Sequence, residues 1–203
     1  MKNSKVNNWV GFTAALRRGE TKHLDLRKML LLSSSRTEEM WSDFKEHIGT
    51  VCSLETIDLC KCSFAVVDSL FKSNKYLKVL NALTINDEII DLQNVGLLKN
   101  LEELRLRSCE PSALNGLLQP LTTLPNLTHL SLTSIRNMGS LDVEMFGELV
   151  SLRSLELGEC DEFDSTFAEV VLPKLFQLQR LRLENGTNAG CCTLEILDTA
   201  ALL

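Results

Sequence analysis

Cysteine and histidine are the residues in this chain whose types could do chemistry, and their spacing removes most of it. Cys60-Lys-Cys62 and Cys191-Cys192 are close pairs, and Cys109 and Cys160 stand alone. Structural zinc usually takes two C-x2–4-C or H-x3–5-H pairs, and neither close pair has that spacing. A nucleophilic thiol needs a histidine beside it as base. His23, His47 and His129 are scattered along the chain, and His129 is expected on the solvent face of a strand. There is no G-x-x-x-x-G-K, G-x-G-x-x-G or H-E-x-x-H stretch. The acidic residues are many but follow no paired-carboxylate pattern. The expectation is a non-enzymatic chain with no catalytic residue, no cofactor and no metal.

Composition narrows the partner. A formal net charge of −6 over 203 residues argues against a general nucleic-acid binder. The longest obvious apolar run, Met29 to Leu32, falls far short of the ~18–20 residues of a membrane span. Met1-Lys-Asn-Ser-Lys5 lacks the apolar core of a secretory signal. Seven cysteines, an odd number, do not suggest a disulfide framework, so a reducing compartment, cytosol or nucleus, is expected. The sequons at Asn126 and Asn185 then carry no meaning. What remains is a protein partner.

The elements that position these residues come from a recurring skeleton. Leu54-Glu-Thr-Ile57-Asp-Leu59-Cys-Lys-Cys62 returns as Leu101-Glu-Glu-Leu104-Arg-Leu106-Arg-Ser-Cys109 and as Leu152-Arg-Ser-Leu155-Glu-Leu157-Gly-Glu-Cys160. Copies beginning at Leu127 and Leu178 end in Ile135 and Gly186. Leu80-Asn-Ala-Leu83-Thr-Ile85 is a looser one. An apolar residue stands three positions before each first leucine: Val51, Leu77, Leu98, Leu124, Leu149 and Leu175. The first leucines are then separated by 26, 21, 26, 25 and 26 residues. Leu26, Met29 and Leu31 read as a degenerate earlier copy, and Thr193 to Leu203 as the convex half of the last unit. Cys62, Cys109 and Cys160 share one turn position, where a small, weakly polar side chain packs against backbone.

This L-x-x-L-x-L-x-x-C recurrence resembles the leucine-rich repeat. The implied fold is an α/β solenoid, or horseshoe, with a parallel concave sheet and a mostly helical convex side. The second and third leucines lie two apart on one face of a short strand and point inward. The returning segments show helical spacing. Ser35-Arg-Thr-Glu38 has the capping-box form ahead of Trp41, Phe44 and Ile48. Phe64, Val67, Leu70 and Phe71 repeat the theme, as do Leu114, Leu117, Leu118 and Leu121. Met145, Phe146 and Leu149 do so again, then Phe163, Phe167, Val170 and Val171. Asn86 to Leu98 holds either one turn or an irregular connection. The four prolines are expected near helix ends or in the approach to a strand. The last unit ends without a polar cap, which predicts an apolar edge or a missing neighbour. Residues 1–22 are expected to form a helical cap and 23–203 the repeat domain.

The concave face then carries the functional surface. In this frame its middle column reads Asp58, Thr84, Arg105, Ser131, Glu156, Arg182. One flank adds Thr56, Ala82, Glu103, His129, Ser154 and Arg180; the other adds Cys60, Asn86, Arg107, Thr133, Gly158 and Glu184. Arginine makes planar bidentate contacts and is enriched at binding hot spots. Glu103, Arg105, Arg107, His129, Glu156, Arg180 and Arg182 are therefore the candidate partner-binding residues. The blander alternative makes them solvated strand residues paired with local glutamates.

The cysteine-containing, long-repeat pattern is similar to that of F-box/leucine-rich-repeat proteins and of the ribonuclease-inhibitor-like superfamily. Val6-Asn-Asn-Trp9-Val-Gly-Phe12, followed by His23-Leu24-Asp25-Leu26, resembles the tail of an F-box leading into its repeats. Val6 stands one residue closer to Trp9 than in that pattern, the usual cysteine is absent, and most of an F-box would have to precede Met1. The resemblance implies the substrate-recognition arm of a cullin–RING ubiquitin ligase, touching the ligase adaptor through the N-terminal segment. The alternatives are a stand-alone scaffold, inhibitor or assembly factor, with Trp9, Phe12 and Leu16 capping the first repeat.

Overall fold

The computed structural model describes residues 14, 18–27, 34–48, 53–85, 87–115, 118–136, 140–160, 167–185 and 193–196. The N-terminal segment with Trp9, Phe12 and Leu16 lies outside them.

Seven repeat strands, a short extra strand within the third repeat and an antiparallel strand at the far edge make a nine-stranded sheet. In chain order these are β1 (His23–Asp25), β2 (Thr56–Leu59), β3 (Val79–Ile85), β4 (Ile89–Asp91) and β5 (Glu103–Asn115). They continue as β6 (His129–Arg136), β7 (Ser154–Cys160), β8 (Arg180–Asn185) and β9 (Thr193–Ile196). The spatial order is β1-β2-β3-β5-β6-β7-β8-β9, with β4 paired to the far half of β5. Every pairing from β1 to β8 is parallel. The chain returns between strands through α1 (Ser34–Ile48), α2 (Phe64–Ser73), α3 (Gln119–Thr122) and α4 (Ser140–Phe146). A 3-10 turn at Val95–Leu97 and a π turn at Phe167–Val171 run into by 3-10 residues Leu172–Lys174 complete the convex side. One parallel strand per repeat and a helical return make the chain a leucine-rich-repeat solenoid.

The core is the stack of inward residues. Ile57, Leu80, Leu104, Leu130, Leu155 and Leu181 occupy one layer, and Leu59, Ala82, Leu106, Leu132 and Leu157 the next; all are buried. A single unit cannot bury such a face alone, and stacking supplies the missing half. Aromatics fill the convex layer. Trp41 meets Phe44 edge-on at 5.5 Å and Phe146 meets Phe167 at 6.3 Å. The Trp41 indole N–H donates to the Lys61 carbonyl at 3.0 Å and so ties α1 to the next unit.

The ladder corrects the repeat frame in two places. Leu80 pairs with Ile57 and Leu104, both second leucines, so the first leucine of its unit is Leu77. The Leu77 N–H closes a turn on the Asn74 carbonyl at 3.0 Å, just as Leu101 does on Leu98 and Leu152 on Leu149. Buried Asn74 thus stands where the other units have an apolar residue, which hid the frame. The spacings from Leu54 become 23, 24, 26, 25 and 26, and the irregular 21 disappears. Asn81 and Val79 therefore replace Thr84 and Ala82 in the columns, and Leu83 replaces Asn86, which lies outside the described residues. In the first unit, Leu24 pairs with Ile57 and the Leu26 N–H reaches the Asp58 carbonyl. The first strand is thus His23–Asp25, with Leu24 and Leu26 buried, rather than a copy opening at Leu26. Met29 and Leu31 lie outside the described residues.

Local expectations fare unevenly. Trp41, Phe44 and Ile48 are buried on α1, and Phe64, Val67, Leu70 and Phe71 on α2. Helix α1 begins at Ser34, so Ser35 is already inside it; the side chains of the expected capping box lie outside the described residues. Asn86 to Leu98 holds a short strand and a 3-10 turn. The helix expected over Leu114 to Leu121 is not formed. Leu114 belongs to β5, and α3 starts only at Gln119, with Pro120 in its first turn. Proline is favoured there and would break a helix running through it. Pro111 lies within β5, across the register shift between Arg107 and Ser112, where no ladder donor is needed. Thr193–Ile196 is not convex: it is strand β9, antiparallel to β8. The edge of β8 is covered by it rather than left open. The alternation Thr-Leu-Glu-Ile is the strand signal the frame had obscured.

Candidate protein interface

A strand that goes in, out, in, out cannot by itself place two inward residues three apart. Leu59 and Cys62 are both inward and fully buried. The intervening Lys61 takes φ +55°, and the equivalent Ser134 and Glu159 take +58° and +51°. At Lys61 and Ser134 the left-handed residue kinks the strand end and re-aims the next side chain at the core, at a cost of about 1–2 kcal/mol. Cys62 and Ile135 are buried by this device, and Ile85 fills the same place beside Cys62. In the next unit the register shifts, and buried Ser108, not Cys109, pairs with Ile85 and donates its hydroxyl to the Ile85 carbonyl at 3.1 Å. Cys60 lies half-buried in the outward column, so the two thiols of the close pair occupy different environments.

The structure brings all seven candidate residues together on four adjacent strands. One row reads Glu103, His129, Ser154, Arg180. The next reads Arg105, Ser131, Glu156, Arg182, and the third Arg107, Thr133, Gly158, Glu184. Arg105 Nε donates to Glu103 Oε1 at 2.7 Å. Arg182 bridges two carboxylates, with Nη1 on Glu156 Oε1 at 2.8 Å and Nη2 on Glu184. Ser131 donates to the other oxygen of Glu156 at 3.3 Å. Thr128 gives its hydroxyl proton to the Glu102 carbonyl at 3.1 Å, so its 2.9 Å contact with His129 is met by the imidazole Nδ1–H. Arg107 is exposed and makes no ion pair among the described residues. Local glutamates thus engage Arg105 and Arg182, and the seven residues lie side by side on the outward face.

Between the arginine-bearing strands the floor is low. Arg105, His129, Ser131, Ser154, Glu156 and Arg180 line a dip of about 10 Å³, room for one water-sized group. Beside it, a Cβ added to Gly158 would come within 3.3 Å of both Thr133 and Glu184, so the strand is bare there because its neighbours close in.

Residues that the shifted frame missed extend the face toward β1. Asn81 donates to Asp58 at 2.8 Å. Asp25 receives two hydrogen bonds from the Arg27 guanidinium, which holds that arginine charged, with Asp58 adding to the effect. Alignment of Leu77-Lys-Val-Leu80-Asn-Ala82 with the other L-x-x-L-x-L copies is the signal that would have found Asn81.

At the entry to the strands a wider groove of about 460 Å³ is lined by Lys22, Ser53, Glu55, Tyr76, Lys78 and Asn100. Glu55 lies between Lys22 at 2.8 Å and Lys78 at 3.1 Å. Their hydrogen bonds and charges hold its carboxyl down at about 2. Among the described residues, no helix is long and apolar enough to cross a membrane.

No family model matches the chain, and no curated protein matches it in sequence. Solved structures that it resembles include leiomodin-1 actin-binding site 2, with a TM-score of 0.44 and 12% identity over 86% of this chain and 90% of that one. An LRR protein of Leptospira interrogans is similar with a TM-score of 0.39 and 16% identity, over 83% of this chain and 50% of that one.

Proposed function

We propose that the chain is a non-enzymatic protein-interaction module that docks its partner on the concave face of β5 to β8. One observation carries this: a contiguous four-strand patch of arginines, glutamates and short hydroxyl residues around a small dip. Arginine is among the residues that most often carry the binding energy of an interface. Affinity purification from the native cell, coupled to mass spectrometry, tests it. Ser131→Trp raises a bulky ring from the floor without touching the core, and partner capture is expected to be lost. Capture undiminished in a folded Ser131→Trp protein would overturn the assignment.

The finer reading is the substrate-recognition arm of an F-box-type ubiquitin ligase receptor, in the cytosol or nucleus. Its support is the L-x-x-L-x-L-x-x-C repeat and the Trp9 segment. Cullin or adaptor subunits should then be co-purified. Recovery of a partner without them would reduce the function to a stand-alone scaffold.

A further inference from the structure

We infer that the dip on the concave face seats a carboxylate from an extended acidic segment of the protein partner, read by Arg105 with Arg107 at its margin; this rests on the concave-face assignment above. Arg105 is gripped at its base, where Nε meets Glu103 at 2.7 Å, while its side chain stays 42% exposed. Its terminal nitrogens carry no hydrogen bond among the described residues, and the residue lines the dip. A guanidinium fixed at Nε and open at both tips is pre-organised for bidentate carboxylate binding. Arg182, on the same row, is different: both of its terminal nitrogens are spent on Glu156 and Glu184.

Glu156 is the one carboxylate lining the dip, and its charge is already answered. One oxygen accepts from Arg182 and the other from Ser131. It therefore holds the floor in place without repelling an incoming acid as a bare carboxylate would. The space of about 10 Å³ takes one water-sized atom, so a carboxylate enters it with one oxygen while the rest stays above the floor within reach of the Arg105 tips. The chain as a whole carries −6, so it repels polyanions except where a local cluster reverses the sign.

Fluorescence anisotropy of a labelled oligoglutamate peptide, titrated with the full chain, tests this. Saturable binding that weakens with added salt is expected. Arg105→Ala should weaken it on the order of tenfold, the usual effect of losing a hydrogen bond to a charged group. Arg105→Lys should retain part of it, and Arg27→Ala, on the same face but committed to Asp25, should leave it unchanged. Absence of saturable binding, or equal loss in Arg105→Ala and Arg27→Ala, would overturn the inference. Should Ser131→Trp abolish partner capture while oligoglutamate fails to bind, the interface stands and the acidic partner falls. Should capture ignore Ser131→Trp, the interface itself falls.

Discussion

Leu80 is fully buried, while Leu83, three residues on, is only half covered. The difference is a matter of frame, and it is measurable. Leu80→Ala should cost ~2–5 kcal/mol in a urea melt, as for other emptied leucine sites. Leu83→Ala should cost under about 1 kcal/mol, nearer to a surface change. Equal losses would restore the frame that opens on Leu80. The strict copies at Leu54, Leu101, Leu127, Leu152 and Leu178 were legible because both strand leucines are present. The unit at Leu77 was not, since Ala82 replaces the third leucine and Asn74 the preceding apolar residue. The adjacency of the seven candidate residues on the outward face was legible, because they sit in units whose frame was right. The roles of the arginines were not: Glu103 and Glu184 lie two residues from Arg105 and Arg182 in sequence, but Glu156 is brought in from another strand.

The convex elements are held by the units that follow them. The backbone N–H of Phe64, which opens α2, donates to the carboxylate of Asp87 from the next unit. The Leu118 N–H, just ahead of α3, donates to Asp142 Oδ1 at 2.8 Å, and Asp142 is buried in the first turn of α4. Free N–H groups at a helix start need such acceptors, and a carboxylate there also meets the favourable end of the helix dipole. Asp142→Ala should therefore cost about 1–3 kcal/mol by leaving a buried donor unmet. Asp142→Asn keeps an acceptor and should recover most of that in the same denaturant series; no difference between the two would remove the cap from the account. Sequence spacing caught α1 and α2, whose apolar faces repeat over several turns. It failed where proline and short loops decide, at Leu114 to Leu121, because periodicity counts leucines and is blind to what Pro120 forbids.

Across the whole molecule, equivalent residues of successive units form ladders, and one of them responds to acid. With its carboxyl lowered from 4.5 to about 2, Glu55 contributes stability that is complete above 4.5 and fades as the pH falls toward 2. Lys22, raised by the same partner, contributes below its ordinary 10.5 and loses this only at more alkaline pH. Glu55→Gln should therefore flatten the acid limb of the stability curve between about pH 4.5 and 2, as followed by circular dichroism. An unchanged limb would mean the Lys22–Glu55–Lys78 bridge does nothing for folding. The solenoid plan as a whole was legible, since it needs only a recurring period; β9 was not, since its chain direction breaks with the repeat. One feature of the convex side sets the form of the interface. Parallel strands stack at about 4.8 Å, whereas packed helices need 8–10 Å, and that mismatch is what bends such an array into an arc. Here the 15- and 10-residue helices α1 and α2 give way to three-residue 3-10 turns and a four-residue α3. Behind β6 and β7 the seven-residue α4 restores part of that bulk. The arginine cluster on β5 to β8 is thus backed by shorter elements than the strands before it.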